Sequence, residues 1–361
     1  MPTVADLGVT YDSLSGEGTS AVQQAIFSAR DQFFEAVLQQ AFLPSEQYAD
    51  VYALNGATDA MPGRRTGTWR AWASGFGDDL GLNSADTKAT SASAFGAAAQ
   101  NFGTAGGAAG LDYRVNPHWV IGVAGGGSGF QYSVPDRTTH GSGSGGDVGV
   151  YASGRWEELY AMGVLAYGHF SQDEMRDVIG LNIGPLENAQ GSFDSNLFGG
   201  RIEIGRNYPV GPVILTPFAA LQFDRLHTSS YSETSTVTGA STAGVLGLQY
   251  DAHTVASVPL YLGGQVDSRF DVAPGVALIP SLRVAEVHEF NAQRTITAEF
   301  LSAPGFPLLV HGAAAAEDAA QVQAGLKLAL DRRISVYANF TGYFSGGGNS
   351  LGGFGGVKIS W

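Results

Sequence analysis

Ile334-Ser335-Val336-Tyr337-Ala338-Asn339-Phe340-Thr341 places Ile334, Val336, Ala338 and Phe340 on one face of an extended chain and Ser335, Tyr337, Asn339 and Thr341 on the other. This is strict period two, the pattern of a strand with one apolar and one wet face. From Val258 it recurs, with Val258, Leu260, Leu262 and Val266 against Tyr261, Gln265, Asp267 and Arg269. Gly dominates 102–115, 118–131, 144–156 and 351–357, where small residues let a strongly coiled sheet close on itself. Fully apolar runs spaced by helical patterns, the mark of buried parallel strands, are absent after residue 67. That part of the chain is all-β.

Strands are predicted near 67–77, 102–115, 118–133, 146–156, 159–175, 192–207, 213–232, 256–271, 276–290, 319–330, 334–344 and 350–361. Their connections alternate. They are long at 78–101, 134–145, 176–191, 233–255 and 291–318, and short at Asn116-Pro117, Glu157-Glu158, 208–212, 272–275 and 331–333; only 345–349 breaks the long series. Brief turns at one end, larger loops at the other and an even strand count predict a twelve-stranded antiparallel transmembrane β-barrel of a bacterial-type outer membrane over 67–361. A soluble sandwich or lipocalin has no reason to segregate loop length in this way.

The five tryptophans fall at the short-turn end: Trp69, Trp72, Trp119, Trp156 and Trp361, with Tyr160 and Tyr208 at the same level. Trp and Tyr favour the membrane interface, so these residues are expected to form the periplasmic girdle.

Composition agrees with a barrel. The chain has 51 Gly, 14% charged residues and no Cys, which excludes disulfides and Cys-based zinc sites. A net charge of −14, with only 19 Lys and Arg dispersed along the chain, excludes nucleic acid as a partner. No stretch reaches the roughly 18 apolar residues of a transmembrane helix, and 1–30 lacks the basic start and apolar run of a secretory signal. Met1 is therefore expected not to be the true start of the polypeptide.

Residues 19–43 read as a helix. Val22, Ile26, Ala29, Phe33 and Val37 form one stripe, widened by Phe34, Leu38 and Phe42, with Gln, Ser, Arg30, Asp31 and Glu35 between them; Thr19 or Ser20 could cap it, and Pro44 follows. At ~1.5 Å per residue it would be about 37 Å long, enough to thread a barrel lumen. Packing on another segment explains the same stripe. The linker 44–66, with Asn55-Gly56 and Pro62-Gly63, reads as irregular. Alternation points the charges of Arg70, Arg201, Glu203, Asp267, Arg269 and Arg283 into the lumen, where they would pair with one another and contact whatever fills the pore.

Several stretches resemble the autotransporter family, the C-terminal β-barrel translocators of type V secretion. Tyr11-Asp12-Ser13-Leu14-Ser15-Gly16-Glu17 looks like the end of a pertactin-like passenger. Leu111-Asp112-Tyr113-Arg114-Val115 leading to Trp119, then Leu215-Thr216-Pro217-Phe218-Ala219, His288-Glu289-Phe290 and the run from Ala324 to Leu330 are similar to family strands, in family order. The final strand, with Val357, Ile359 and Trp361 on one face, resembles the signature read by the barrel-assembly machinery, although the family more often ends in Phe. The resemblance implies that 1–66 holds a passenger remnant, a pore helix and a linker. It implies a monomer in outer-membrane lipid, served by periplasmic chaperones and the assembly machinery, which displays its passenger at the cell surface with its long loops outside. Some members cut the helix at an Asn-Asn pair, which this helix lacks, so passenger release stays open.

Catalytic motifs fail on context. Gly348-Asn349-Ser350-Leu351-Gly352 matches G-x-S-x-G, but that elbow needs a helix after it and an acid and His later in the chain, and the last His is His311. Gly141 to Gly146 fits G-x-G-x-x-G, yet no βαβ unit surrounds it and it reads as an external loop. The seven His residues show no metal-binding spacing. No cofactor, metal or catalytic residue is expected. The alternatives to a translocator are a stand-alone outer-membrane pore and a barrel esterase with Ser350 on the lumen or rim.

Overall fold

The structure, a computed structural model, describes residues 10–41, 68–83, 98–180, 184–331 and 333–361. The alternation quoted above becomes two sides of a wall: Ile334, Val336 and Phe340 are exposed, whereas Ser335, Tyr337, Asn339 and Thr341 are buried.

Twelve strands make that wall. They are β1 (Trp69–Leu82), β2 (Gln100–Arg114), β3 (Trp119–Val134), β4 (Thr139–Trp156), β5 (Leu159–Gly180), β6 (Gly184–Arg206), β7 (Val213–Thr228), β8 (Pro259–Ser268), β9 (Val276–Glu289), β10 (Asp318–Ala329), β11 (Ile334–Ser345) and β12 (Gly348–Ser360). Each pairs antiparallel with the next. β1 closes on β12 from Arg70↔Ser360 to Leu82↔Gly348. Closure leaves no row of unpaired N–H and C=O groups, which is what hydrocarbon demands. Outside, Val123, Val148, Leu165, Phe198 and Ile202 are each more than half exposed, an apolar surface suited to lipid.

The long connections depart from expectation. The segment 134–145 is no loop: Pro135–Arg137 form a single 3-10 turn and β4 begins at Thr139. The glycine run at 141–146 therefore lies in a strand. Side chains on the neighbouring strands explain its composition, because a Cβ on Gly141, Gly143 or Gly145 would fall within 2.5 Å of the rings of Tyr132, Phe130 and Phe170. Likewise β5 and β6 run for 22 and 23 residues, about twice the 9 to 11 that span a membrane. The segments 233–255 and 291–318 instead contribute most of a four-stranded sheet, in the order Leu308–His311, Thr295–Phe300, Leu248–Tyr250, Tyr231–Ser232.

The girdle also needs correction. Trp69, Trp119, Trp156, Trp361 and Tyr208 are exposed, and Trp119 packs edge-to-face on Trp156 at 5.1 Å. Trp72 and Tyr160 are buried on the lumen side. Parity decides this: Trp72 shares the inner face of β1 with Arg70, and Tyr160 shares that of β5 with Met162.

Candidate functional site in the filled lumen

The predicted helix is a 3-10 turn, Glu17–Ser20, that continues into α1, Ala21–Ala41. Residues 42–43 and the linker 44–66 lie outside the described residues. With 21 residues at ~1.5 Å each, α1 is about 32 Å long, close to the ~30 Å of a bilayer's hydrocarbon layer. No residue from 21 to 40 is exposed. A helix enclosed on every side by a closed wall lies in the lumen, which excludes the external packing that the stripe alone allowed.

Neither Thr19 nor Ser20 caps α1. The Thr19 hydroxyl donates to Glu174 at 2.5 Å and that of Ser20 to the Glu17 carbonyl at 2.8 Å, while Gly16, with φ 68°, makes the left-handed entry.

The two faces of α1 meet different walls. Val22, Ile26, Phe33 and Val37 are buried, and the helix comes closest to β1–β5. There the glycines make room for it: a Cβ on Gly126 would stand 3.0 Å from the Phe33 ring. Across the lumen, long polar side chains bridge to the helix. Arg201 on β6 pairs with Glu35 at 2.9 Å, and Gln321 and Gln323 on β10 donate to the same carboxylate at 3.4 and 3.3 Å. Behind Arg201 stands Glu203, at 3.7 Å from it and 2.6 Å from Arg283. At mid-helix the Arg30 guanidinium donates to the carbonyls of Ala166 and Leu197 at 3.2 and 3.0 Å, beside Asp147 and Asp224. Gln222 donates to Asp31 at 2.7 Å, and Ser28 to Asp78 at 2.6 Å.

Both ends are tied. At the long-loop mouth Arg137 holds Glu17 at 2.5 Å, and Arg176 pairs with Glu233 at 2.5 Å while donating to the Ser13 carbonyl at 2.7 Å. Burial pushes the Glu17 carboxyl above its ordinary range, with the Ala98 amide and Arg137 pulling it back. Tyr231 and Tyr250 of the four-stranded sheet stack at 4.6 Å over this entry, and a Cβ on Gly16 would meet Leu248 and Tyr250 at 2.8 Å. At the short-turn end Lys358 donates to the Gln40 carbonyl at 3.5 Å.

Of the charges expected to face inward, Arg70, Arg201, Glu203, Asp267 and Arg283 are buried. Arg70 donates to Asp112, which also accepts from Tyr151 at 2.8 Å. Asp267 accepts from Gln265 at 2.9 Å. Arg269 stands apart at the short-turn edge, between β8 and the short strand Phe270–Ala273, paired with the exposed Asp271 at 2.8 Å. Val357, Ile359 and Trp361 are exposed on the outer face. Ser350 lies within β12 with its hydroxyl directed at Asp78 (3.4 Å), not on a strand-turn-helix elbow. Among the described residues, no three His, Cys, Asp or Glu are grouped as a metal site. The reading of single strands missed Asp147 and Asp224, although both sit at inward parity beside outward Val148 and Phe223.

The sequence profile described as autotransporter beta-domain matches residues 71–341. No curated protein sequence matches the chain. Among solved structures, the translocator domain of the autotransporter NalP from Neisseria meningitidis superposes with a TM-score of 0.58 at 15% identity, over 87% of this chain and 96% of that one. The beta domain of the Bordetella autotransporter BrkA gives 0.55 at 16% identity, over 81% and 100%. At such identities the likeness is one of fold.

Proposed function

The chain belongs to the autotransporter beta-domain family, whose members are outer-membrane barrels that export a passenger rather than enzymes, and from that premise we propose how this one holds its passenger. Residues 1–66 are the passenger's end, its pore helix and a linker, and 67–361 are the barrel. The long-loop end faces outside and the short turns face the periplasm. The observation that carries this reading is the polarity of α1: Glu17 is held at the long-loop mouth by Arg137, and Gln40 is held near the short turns by Lys358. A polypeptide preceding residue 10 would therefore leave the lumen on the long-loop side, while α1 ends at the short-turn end, where β1 begins. No residue of the chain is catalytic in this reading. The barrel acts as a monomer, served by periplasmic chaperones and by an assembly machinery that reads Val357, Ile359 and Trp361.

Conductance tests it. In planar bilayers the full chain should conduct poorly and gain conductance when Gly16 to Pro44 is deleted. Equal, large conductance for both would replace the plugged translocator with a stand-alone pore. The burial of α1 on every side favours the plug.

A further inference from the structure

On the outer wall, side chains form rows that cross β3 to β7. Ile121, Ala152, Gly163, Ile202 and Leu221 make one row, and Val123, Val150, Leu165, Gly200 and Phe223 the next. Above them, towards the long loops, come Gly125, Val148, Tyr167, Phe198 and Arg225, then Gly127, Gly146, His169, Asn196 and His227. The row beyond that is Gly129, Ser144, Ser171 and Asp194. The surface thus turns from apolar to polar at the level of Arg225.

Arg225 is exposed, and it has no hydrogen bond or ion pair among the described residues. Every other exposed Lys or Arg among them sits at the short-turn end, as Arg206 and Arg333 do. An unpaired cation on a lipid-facing wall costs most at the midplane and little at the interface, where a lipid phosphate can accept its donors. His227, one row up on the same strand, uses Nδ1 on Thr254 at 3.0 Å and has no partner at Nε2 among the described residues. His169 and Tyr167 both reach Asn196, at 3.0 and 2.7 Å. The nearest acid on this face, Asp194, is two rows above Arg225 and accepts from Ser171 at 2.7 Å. Below Arg225 the wall is hollowed. A shallow apolar depression around Gly163 is bordered by Leu165, Phe198, Ile202 and Phe223, with the Leu165 side chain lying over Gly200, and Phe198 and Phe223 separate it from Arg225.

We propose that Arg225, with His227 above it and the apolar wall of Leu165, Phe198, Ile202 and Phe223 below, is a binding site for one phosphorylated membrane lipid of the leaflet beside the long loops. The phosphate accepts from the guanidinium, and one acyl chain runs down over Phe198 and Phe223 towards the depression at Gly163. A chain of net charge −14 repels anionic headgroups in general, so one exposed arginine at the apolar boundary selects where such a headgroup can sit.

The site rests on the membrane placement but not on the direction of export, so lipid retention and pore conductance fail independently. The full chain and its Arg225→Gln variant, both confirmed as folded by their mobility on unheated gels, are examined in detergent by native mass spectrometry. The probes are dimyristoyl phosphatidic acid, dimyristoyl glycerol and inorganic phosphate. The parent should retain phosphatidic acid roughly fivefold to tenfold better than Arg225→Gln. Dimyristoyl glycerol should bind both equally weakly, and inorganic phosphate should not displace the lipid. A second variant, His227→Gln, should lower retention in the same direction. Equal retention by the parent and Arg225→Gln overturns the proposal, and displacement by inorganic phosphate reduces the site to a free-anion site and overturns the lipid.

Discussion

Arg30 and Asp147 form an ion pair between the pore helix and the wall, with Nη2 and Oδ1 2.6 Å apart and neither side chain more than 4% exposed. Asp224 stands 3.7 Å from the other side of the same guanidinium. One helix cation thus faces two carboxylates, on β4 and β7, that have been taken out of water. Arg30→Ala leaves both acids buried without their cation, which costs about 3 to 5 kcal/mol. Helix α1 should leave the lumen more often, read as frequent large openings in planar bilayers. Unchanged conductance would show that the pair does not retain the helix.

The seat of the 3-10 turn is tight at Gly18, where an added Cβ would lie 2.3 Å from the Cβ of Thr139. Gly18→Ala should destabilise the seated helix by about 1 to 3 kcal/mol through overpacking. Protease protection of residues 17–41 should fall accordingly. Gly18→Ala with Thr139→Gly should recover part of it, whereas a double variant no better than the single would place the strain elsewhere.

Closure between the first and last strands extends to the chain's end, with the Trp69 amide donating to the Trp361 carbonyl at 3.1 Å and the Trp361 amide to that of Trp69 at 3.0 Å. Removing Trp361 loses both bonds and an exposed indole at the interface. Trp361→Ala keeps the backbone bonds. Refolding into vesicles, followed by the fraction of fast-migrating barrel on unheated gels, should be slowed by both changes and more by the deletion. Identical rates for parent and deletion would separate Trp361 from assembly.

Asp331 lies in the turn before β11 and accepts the amides of Arg333 and Ile334, both at 2.6 Å. These bonds hold its carboxyl below the usual range. Because the folded value is depressed, the turn is stabilised above the ordinary carboxylate value of about 3.9 and loses that support as pH falls through the folded value. A carboxyl titration by NMR in micelles should place Asp331 below the exposed aspartates. A midpoint at or above theirs would contradict the turn geometry.

Period-two alternation carried most of the wall, because a strand between lipid and lumen must change chemistry at every residue, as from Ile334 to Thr341. The same parity assigns Trp72 and Tyr160 to the inside and Arg225 to the outside, so their placement was available to a stricter reading. Glycine has no side chain to alternate. The strand character of 141–146 was accordingly hidden, since its reason is the rings of Tyr132, Phe130 and Phe170 on other strands.

The amphipathic stripe from Val22 to Val37 established a helix of about the right length, but not where it lies. Only the tertiary structure decided that α1 fills the lumen, that Arg30 meets Asp147 and Asp224, and that Glu35 meets Arg201. The sequence by itself determined twelve alternating strands and their two faces, because alternation is a local consequence of the pleat. These three partners of Arg30 and Glu35 sit more than a hundred residues away on different strands, and closure of the wall brings them to the helix, which no local pattern encodes.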